Sequence, residues 1–282
     1  MKRLIFIPAL LLLVGWTAAP LPRLKGFGPM TRPGFQRVAR VVQTAGAPVG
    51  PSYTMPTAEY IGIWDAANYT DGGVGAVATL TDTSSAGCHL TQSTEARKPT
   101  KGTDAFGTYI TTDGGDCVGK TSDLPAASST LTMITVFIPT VAAKSGVINS
   151  FSGGIHRDAY VSQTDNNKPG WTYASYYYFG QDTNYSTTTP TIVTYQWENA
   201  SLTCRINGSF SWTDTNSKIV PFTTVDCITI FCEANPYRGG SYAYGANSGT
   251  KLYFWSVWKG TDISKLYQAE RYCANRYGVT IP

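Results

Sequence analysis

The chain has 282 residues, 42% hydrophobic and 14% charged, with 28 Gly and 18 Tyr. Gly, Ser, Thr, Tyr and Asn outweigh Glu and Lys, which favours strands and turns over a helical body. The net charge of +4 is carried by Arg23, Lys25, Arg32, Arg37 and Arg40 near the N-terminus, which leaves the rest close to neutral. That excludes a nucleic-acid surface, which needs Lys and Arg clustered on a folded face.

Residues 1–22 form their own unit. Lys2-Arg3 precede the apolar run Leu4 to Trp16, followed by Thr17-Ala18-Ala19. Basic, apolar and small residues in that order read as a cleaved secretory signal peptide. The alternatives are an uncleaved hydrophobic anchor, or an arm that buries itself in an assembly; Pro20 disfavours cleavage after Ala19. Residues 23–57, rich in Pro, Gly and Arg, read as a linker or extended arm. Its charge suits an anionic membrane or a partner's acidic groove.

Residues 58–282 make up the body, long enough to bury a large core as a single domain. Ile61 to Asp65 opens it, 80–99 is turn-rich, and 104–117 reads as short strands around the turn Asp113-Gly-Gly-Asp116. Leu131 to Ile138 is apolar on both faces, so it is a central strand covered on each side. Gly146 to Phe151 is the next strand, Ile192 to Trp197 alternates, and Leu202, Cys204 and Ile206 share one face. Asn207-Gly208 marks a tight two-residue hairpin, because both positions tolerate positive φ. Phe210 and Trp212 begin its return strand, and Val225 to Cys232 is a further apolar strand. Lys251 to Trp258 is a final buried strand, and one helix follows it. Asp262 or Ser264 caps that helix, Leu266, Ala269, Cys273 and Tyr277 form its apolar stripe, and Gly278 closes it. The sum is an all-β fold: a two-sheet antiparallel sandwich with one short C-terminal helix.

Several short stretches resemble the concanavalin A-like lectin/glucanase superfamily when taken in order. They are Trp64-Asp65, Leu90-Thr-Gln92, Lys98-Pro99, the Asp113–Asp116 turn, Thr135-Val-Phe137, Ile206-Asn-Gly208, Gln268-Ala-Glu270 and Arg276-Tyr-Gly-Val279. More closely they resemble laminin-G-like jelly-roll modules of bacterial surface and bacteriophage virion proteins. The resemblance implies a jelly-roll domain over 58–282. It also implies glycan binding, adhesion or a structural role, with glycosidases among the relatives; fold by itself does not choose.

The chemistry needed for hydrolysis is sparse. A glycosidase needs two carboxylates about 5–10 Å apart in one groove, and the glucanase branch carries them in a Glu-x-Asp-x-x-Glu strand. The five glutamates here (Glu59, Glu95, Glu198, Glu233 and Glu270) are scattered, so no catalytic residue and no enzyme is expected. The histidines, His89 and His156, lack the flanks of a nucleophile site and read as loop residues. No cofactor is expected. Calcium is the one alternative, with Asp113, Asp116 and Asp165 as candidate oxygen ligands, although turn formation explains the same residues.

Six cysteines without CxxC spacing fit an oxidising compartment and no zinc site. Cys88 and Cys117 flank one loop region and could close it as a disulfide; Cys204, Cys227, Cys232 and Cys273 suit core positions, and the pairing stays open.

Aromatic residues carry the binding expectation. Trp171, Tyr173, Tyr177 and Tyr185 fall in a Tyr-rich stretch, and Tyr237, Arg238 and Tyr242 in a Gly-rich one. Alternation groups Trp171, Tyr173 and Tyr177 on one face and Tyr176 and Tyr178 on the other. Tyr and Trp bring flat apolar area with a polar tip, suited to sugar rings or to a protein surface. The expectation is a non-catalytic recognition or structural module at a cell or virion surface. It binds glycan or a partner protein through aromatic rim loops, and could self-associate in an assembly. The alternatives are a bacteriophage virion protein (capsid decoration or tail-associated) with residues 1–57 as an uncleaved docking arm, and a glycoside hydrolase.

Overall fold

The computed structural model describes residues 52–126, 128–140, 147–152, 158–162, 170–173, 176–179, 185–198, 201–215, 227–232, 246 and 248–282, with backbone alone for those between 147 and 179. All of them belong to one unit, Val49–Pro282. The expectations for residues 1–51 fall outside this set.

The first part of the fold is built from short strands. These are β1 (Tyr60–Thr70), β2 (Ala78–Asp82), β3 (Leu90–Gln92), β4 (Thr100–Asp104), β5 (Gly107–Thr111) and β6 (Val118–Lys120). Then come β7 (Thr130–Ile138), β8 (Val147–Ser152), β9 (Asp158–Ser162), β10 (Gly170–Tyr173) and β11 (Tyr176–Phe179). The last strands are β12 (Thr191–Glu198), β13 (Ser201–Ile206), β14 (Ser209–Asp214), β15 (Cys227–Ile230) and β16 (Lys251–Lys259), before the helix α1 (Ile263–Tyr277). Every pairing is antiparallel, in the order β11-β10-β9-β8-β15-β6-β3-β2-β1-β16-β7-β12-β13-β14, with β4 on β5 and β5 on β16. As expected, this is an all-β antiparallel sandwich with one C-terminal helix.

β1 is the corner of the sandwich. Its first half pairs with β16 (Trp64 opposite Trp255) and its second half with β2 (Tyr69 opposite Leu80), with a register shift between. A bulged strand that changes partner along its length is how one ladder folds over into two layers. The main core lies between them. Leu131, Met133 and Phe137 of β7, Val193, Tyr195 and Trp197 of β12, and Trp255 and Val257 of β16 face Ala78, Leu80, Leu90, Val118, Ile228 and Ile230. Trp64 stacks on Trp255 at 4.5 Å and donates its Nε1–H to the Cys88 carbonyl at 2.8 Å.

The opposite face of β7 and β16 carries Ile134, Val136, Ile138, Tyr253, Phe254 and Trp258, covered by Ala269, Cys273, Ala274 and Tyr277 of α1. This second layer explains why both β7 and β16 are apolar on each side. It also requires a bulge: the β16–β7 register shifts between Leu252 and Phe254, so Tyr253 and Phe254 both turn to the helix. Asp262 caps α1, accepting from Ser264 N at 2.8 Å, and Gly278 closes it at φ 67°. The segment before β1 packs on the helix as well, through Met55, Ala58 and the Gln268 bond to the Thr54 carbonyl.

Two expectations change here. The disulfide joins Cys117 to Cys232, whereas Cys88 is a free buried thiol. Cys232 lies two residues beyond β15, whose Ile230 pairs with Val118 of β6 directly after Cys117, so sheet pairing brings together two cysteines 115 residues apart in sequence. Cys88 instead lies in the main core, and burial pushes its thiol up to about 12. Tyr185 is also not on a rim: it is 4% exposed, with its ring edge-to-face on Phe137 at 4.9 Å.

A candidate recognition groove between the helix and a hairpin

Alternation along β13 sends Leu202, Cys204 and Ile206 into the main core and leaves Arg205 on the outer face, beneath α1. There it meets Glu270, the one acid on the buried face of α1 and only 1% exposed. Arg205 Nε donates to Glu270 Oε1 at 2.9 Å and Nη2 to Oε2 at 3.1 Å, a two-point fork, and Thr194 Oγ1 donates to Oε1 at 3.2 Å. Burial opposes the Arg205 charge, yet the paired carboxylate outweighs it and holds the guanidinium above its ordinary value. Arg205 also donates to the Gly208 carbonyl, which ties the hairpin to the same hub.

The Asn207-Gly208 turn is positive in φ at both residues, 47° and 76°. Asn207 Oδ1 accepts from Ile192 N at 2.9 Å. A Cβ on Gly208 would lie 3.1 Å from Ile281 and 3.2 Å from Pro282, so the missing side chain lets the C-terminal residues close against the turn.

Hairpin, helix and residues 281–282 thereby wall a shallow cavity of about 270 Å³, lined by Arg205, Gly208, Tyr267, Glu270, Arg271, Ile281 and Pro282. Tyr267 is 45% exposed, and the Arg205 guanidinium lies 4.9 Å from its ring centroid. Phe210, the cross-strand partner of Arg205, is 63% exposed on the same outer face. Arg271 stands one turn beyond Tyr267 on α1, with its guanidinium 6.0 Å from the Tyr53 ring. The arrangement offers aromatic faces, apolar walls and a guanidinium.

Among the described residues, the buried carboxylates already have partners. Asp65 pairs with Arg276, and Asp82 accepts from Ile63 N, Ser84 N and Cys88 N. Asp116 accepts from Asp113 N at 2.9 Å, and Asp113 from Gly115 N at 2.8 Å, so both serve their own turn. Burial raises the Asp116 carboxyl, against the bond from Asp113 N. No group of three acids, histidines or cysteines that could hold a metal occurs among the described residues. His89 accepts at Nδ1 from Asp82 N at 3.1 Å, and Glu198 is exposed at the end of β12.

Of the aromatic positions expected at a rim, Tyr237, Arg238 and Tyr242 lie outside the described residues, as do Asp165, His156 and Glu233. For Trp171, Tyr173 and Tyr177 the backbone alone is described. Its register sets Trp171 opposite Tyr178, Tyr173 opposite Tyr176 and Tyr177 opposite Thr172. The position of Tyr177 is therefore out of step with the other two, because directly paired positions share a face. Sequence reading missed Arg205, Tyr267, Glu270 and Arg271. One signal was available: Glu270 sits between Leu266 and Cys273 on the apolar stripe, and a buried carboxylate there demands a cation from the sheet.

No family model matches the sequence, and no curated protein matches it. Solved structures do. Domain 4 of AbnA, an extracellular arabinanase of Geobacillus stearothermophilus seen with arabinotriose, matches with a TM-score of 0.51 at 12% identity, over 79% of this chain and 100% of that one. The binding domain of Paraclostridial Mosquitocidal Protein 1 matches with a TM-score of 0.53 at 10% identity, over 75% and 52%. Trypanosoma rangeli sialidase in complex with sialic acid matches with a TM-score of 0.52 at 13% identity, over 79% and 35%. The architecture shared with these structures is an antiparallel β-sandwich. The chain spans about half of the mosquitocidal binding domain and about a third of the sialidase, and these neighbours include both a binding domain and an enzyme.

Proposed function

We propose that this protein is a non-catalytic glycan-recognition module of concanavalin A-like, jelly-roll type, displayed outside the cell. The observation that carries the reading is the groove at Tyr267, Arg205 and Arg271: a partly exposed ring with a guanidinium 4.9 Å from its centroid, and the buried Glu270 already paired with Arg205. Flat aromatic area with a polar tip is what sugar rings stack on. A domain of the same fold, in the arabinanase, is known with arabinotriose bound.

The aromatic positions of β10 and β11 and those of the Gly-rich stretch are a second contact set in this reading, with Trp171, Tyr173, Tyr177, Tyr237, Arg238 and Tyr242 as the residues. Support comes from the residues that flank the Gly-rich stretch: Cys232 is held by its disulfide, and Ala246 N–H donates to the Phe231 carbonyl at 3.0 Å. The disulfide also supports an oxidising compartment. With that goes the division into an export segment (1–22), an arm (23–57) and the recognition domain (58–282).

A glycan array on the full chain tests the reading. We expect selective binding that falls about tenfold in Tyr267→Ala, the loss of one aromatic–sugar stack. An array blank for the wild-type protein rejects it.

A further inference from the structure

We infer that the groove selects glycans bearing a sugar carboxylate, with Arg271 as the group that pairs with it; this rests on the glycan reading above. The argument is one of charge. Of the groove's three ionised side chains, Arg205 and Glu270 neutralise each other through a two-point fork in which Glu270 is fully buried. Arg271 is left over. Its guanidinium lies 6.0 Å from the Tyr53 ring centroid, and no carboxylate pairs with it among the described residues.

A guanidinium beside an aromatic face, with no acid of its own, matches the planar, two-oxygen geometry of a carboxylate. Arg271 lies at the i+4 position from Tyr267, so both side chains project from the same face of α1. A ring stacked on Tyr267 can therefore carry its carboxylate to Arg271. The cavity, about 270 Å³, is below the roughly 300–1,000 Å³ of sites that enclose a drug-sized ligand. It seats one terminal sugar, with the rest of the glycan in solvent.

Calorimetry on the full chain tests this with two matched pairs: sialyllactose against lactose, and an oligogalacturonate against its carboxyl-reduced form. At low salt we expect at least one acidic member to bind about tenfold tighter than its neutral partner, the size of one charged hydrogen-bonded contact. The gap should shrink as salt screens it. Arg271→Gln, a change at an exposed side chain, should leave the melting temperature unchanged and abolish the gap between acidic and neutral partners. Equal affinities within both pairs overturn acid selection and leave the glycan reading standing. A gap that survives in Arg271→Gln overturns the assignment of the residue, and a sulfated glycan that binds where the carboxylated ones do not overturns the chemistry. Silence from all four sugars, together with a blank array, overturns both.

Discussion

Asp104 shows how single side chains stitch the hairpin of β4 and β5 to the central sheet. Its Oδ2 accepts from Lys251 Nζ at 2.7 Å and from Tyr253 Oη at 2.8 Å, and its Oδ1 from Phe106 N at 3.0 Å. Lys251 lies 4.3 Å from the centroid of Tyr109, a cation over a ring. Burial works against the charge of Asp104, but these donors outweigh it and hold the carboxyl below its ordinary 3.8. A carboxyl depressed in the folded state contributes stability above its unfolded value, and that contribution is lost as pH falls through the folded one. Asp104→Asn should therefore destabilise the protein at pH 7 and matter progressively less below about pH 4. Urea midpoints of the two proteins across that range decide the point. A penalty equal at pH 7 and pH 3 rules out the ionised contact as its source.

At the scale of elements, α1 is placed by two ion pairs as much as by its apolar stripe. Glu270 meets Arg205 of β13, and Arg276 near the C-terminal end meets Asp65 of β1. The caps and the stripe of Leu266, Ala269, Cys273 and Tyr277 were legible, because they follow from spacing of three and four and from local backbone chemistry. The ion pairs were not legible, since each partner lies on a strand distant in sequence. Arg205→Ala strands a carboxylate that is 1% exposed, so we expect a loss of roughly 3–5 kcal/mol in chemical unfolding. Replacing both partners with Met and Leu should recover most of it, because an apolar pair of similar volume leaves no charge behind. A cost below about 1 kcal/mol for Arg205→Ala would mean that water reaches Glu270.

For the molecule as a whole, the Cys117–Cys232 bridge spans 115 residues and so restrains much of the unfolded chain. Loops of that length lose a large closure entropy, and removing such a crosslink costs roughly 2–5 kcal/mol. Cys117→Ala with Cys232→Ala should lower the urea midpoint accordingly, without changing the sheet content seen by circular dichroism. Mass counting of alkylated thiols gives an independent check. The native protein should resist labelling, and the unfolded, unreduced chain should take up four labels, at Cys88, Cys204, Cys227 and Cys273. Uptake at Cys117 in that state would break the assignment.

The sequence by itself determined the class of fold, the central strand Leu131–Ile138, the turn at Asn207-Gly208 and the terminal strand with its capped helix. All of these are written in local periodicity and in residues that tolerate special backbone angles. Only the tertiary structure decided which cysteine pairs with Cys117, that Tyr185 is core, and that Arg205, Tyr267, Glu270 and Arg271 share one groove. The reason is physical. Strand pairing here joins residues as distant in sequence as Ile228 and Lys120 or Trp64 and Trp255, and a sequence period reports which face a residue takes, not which distant face it meets.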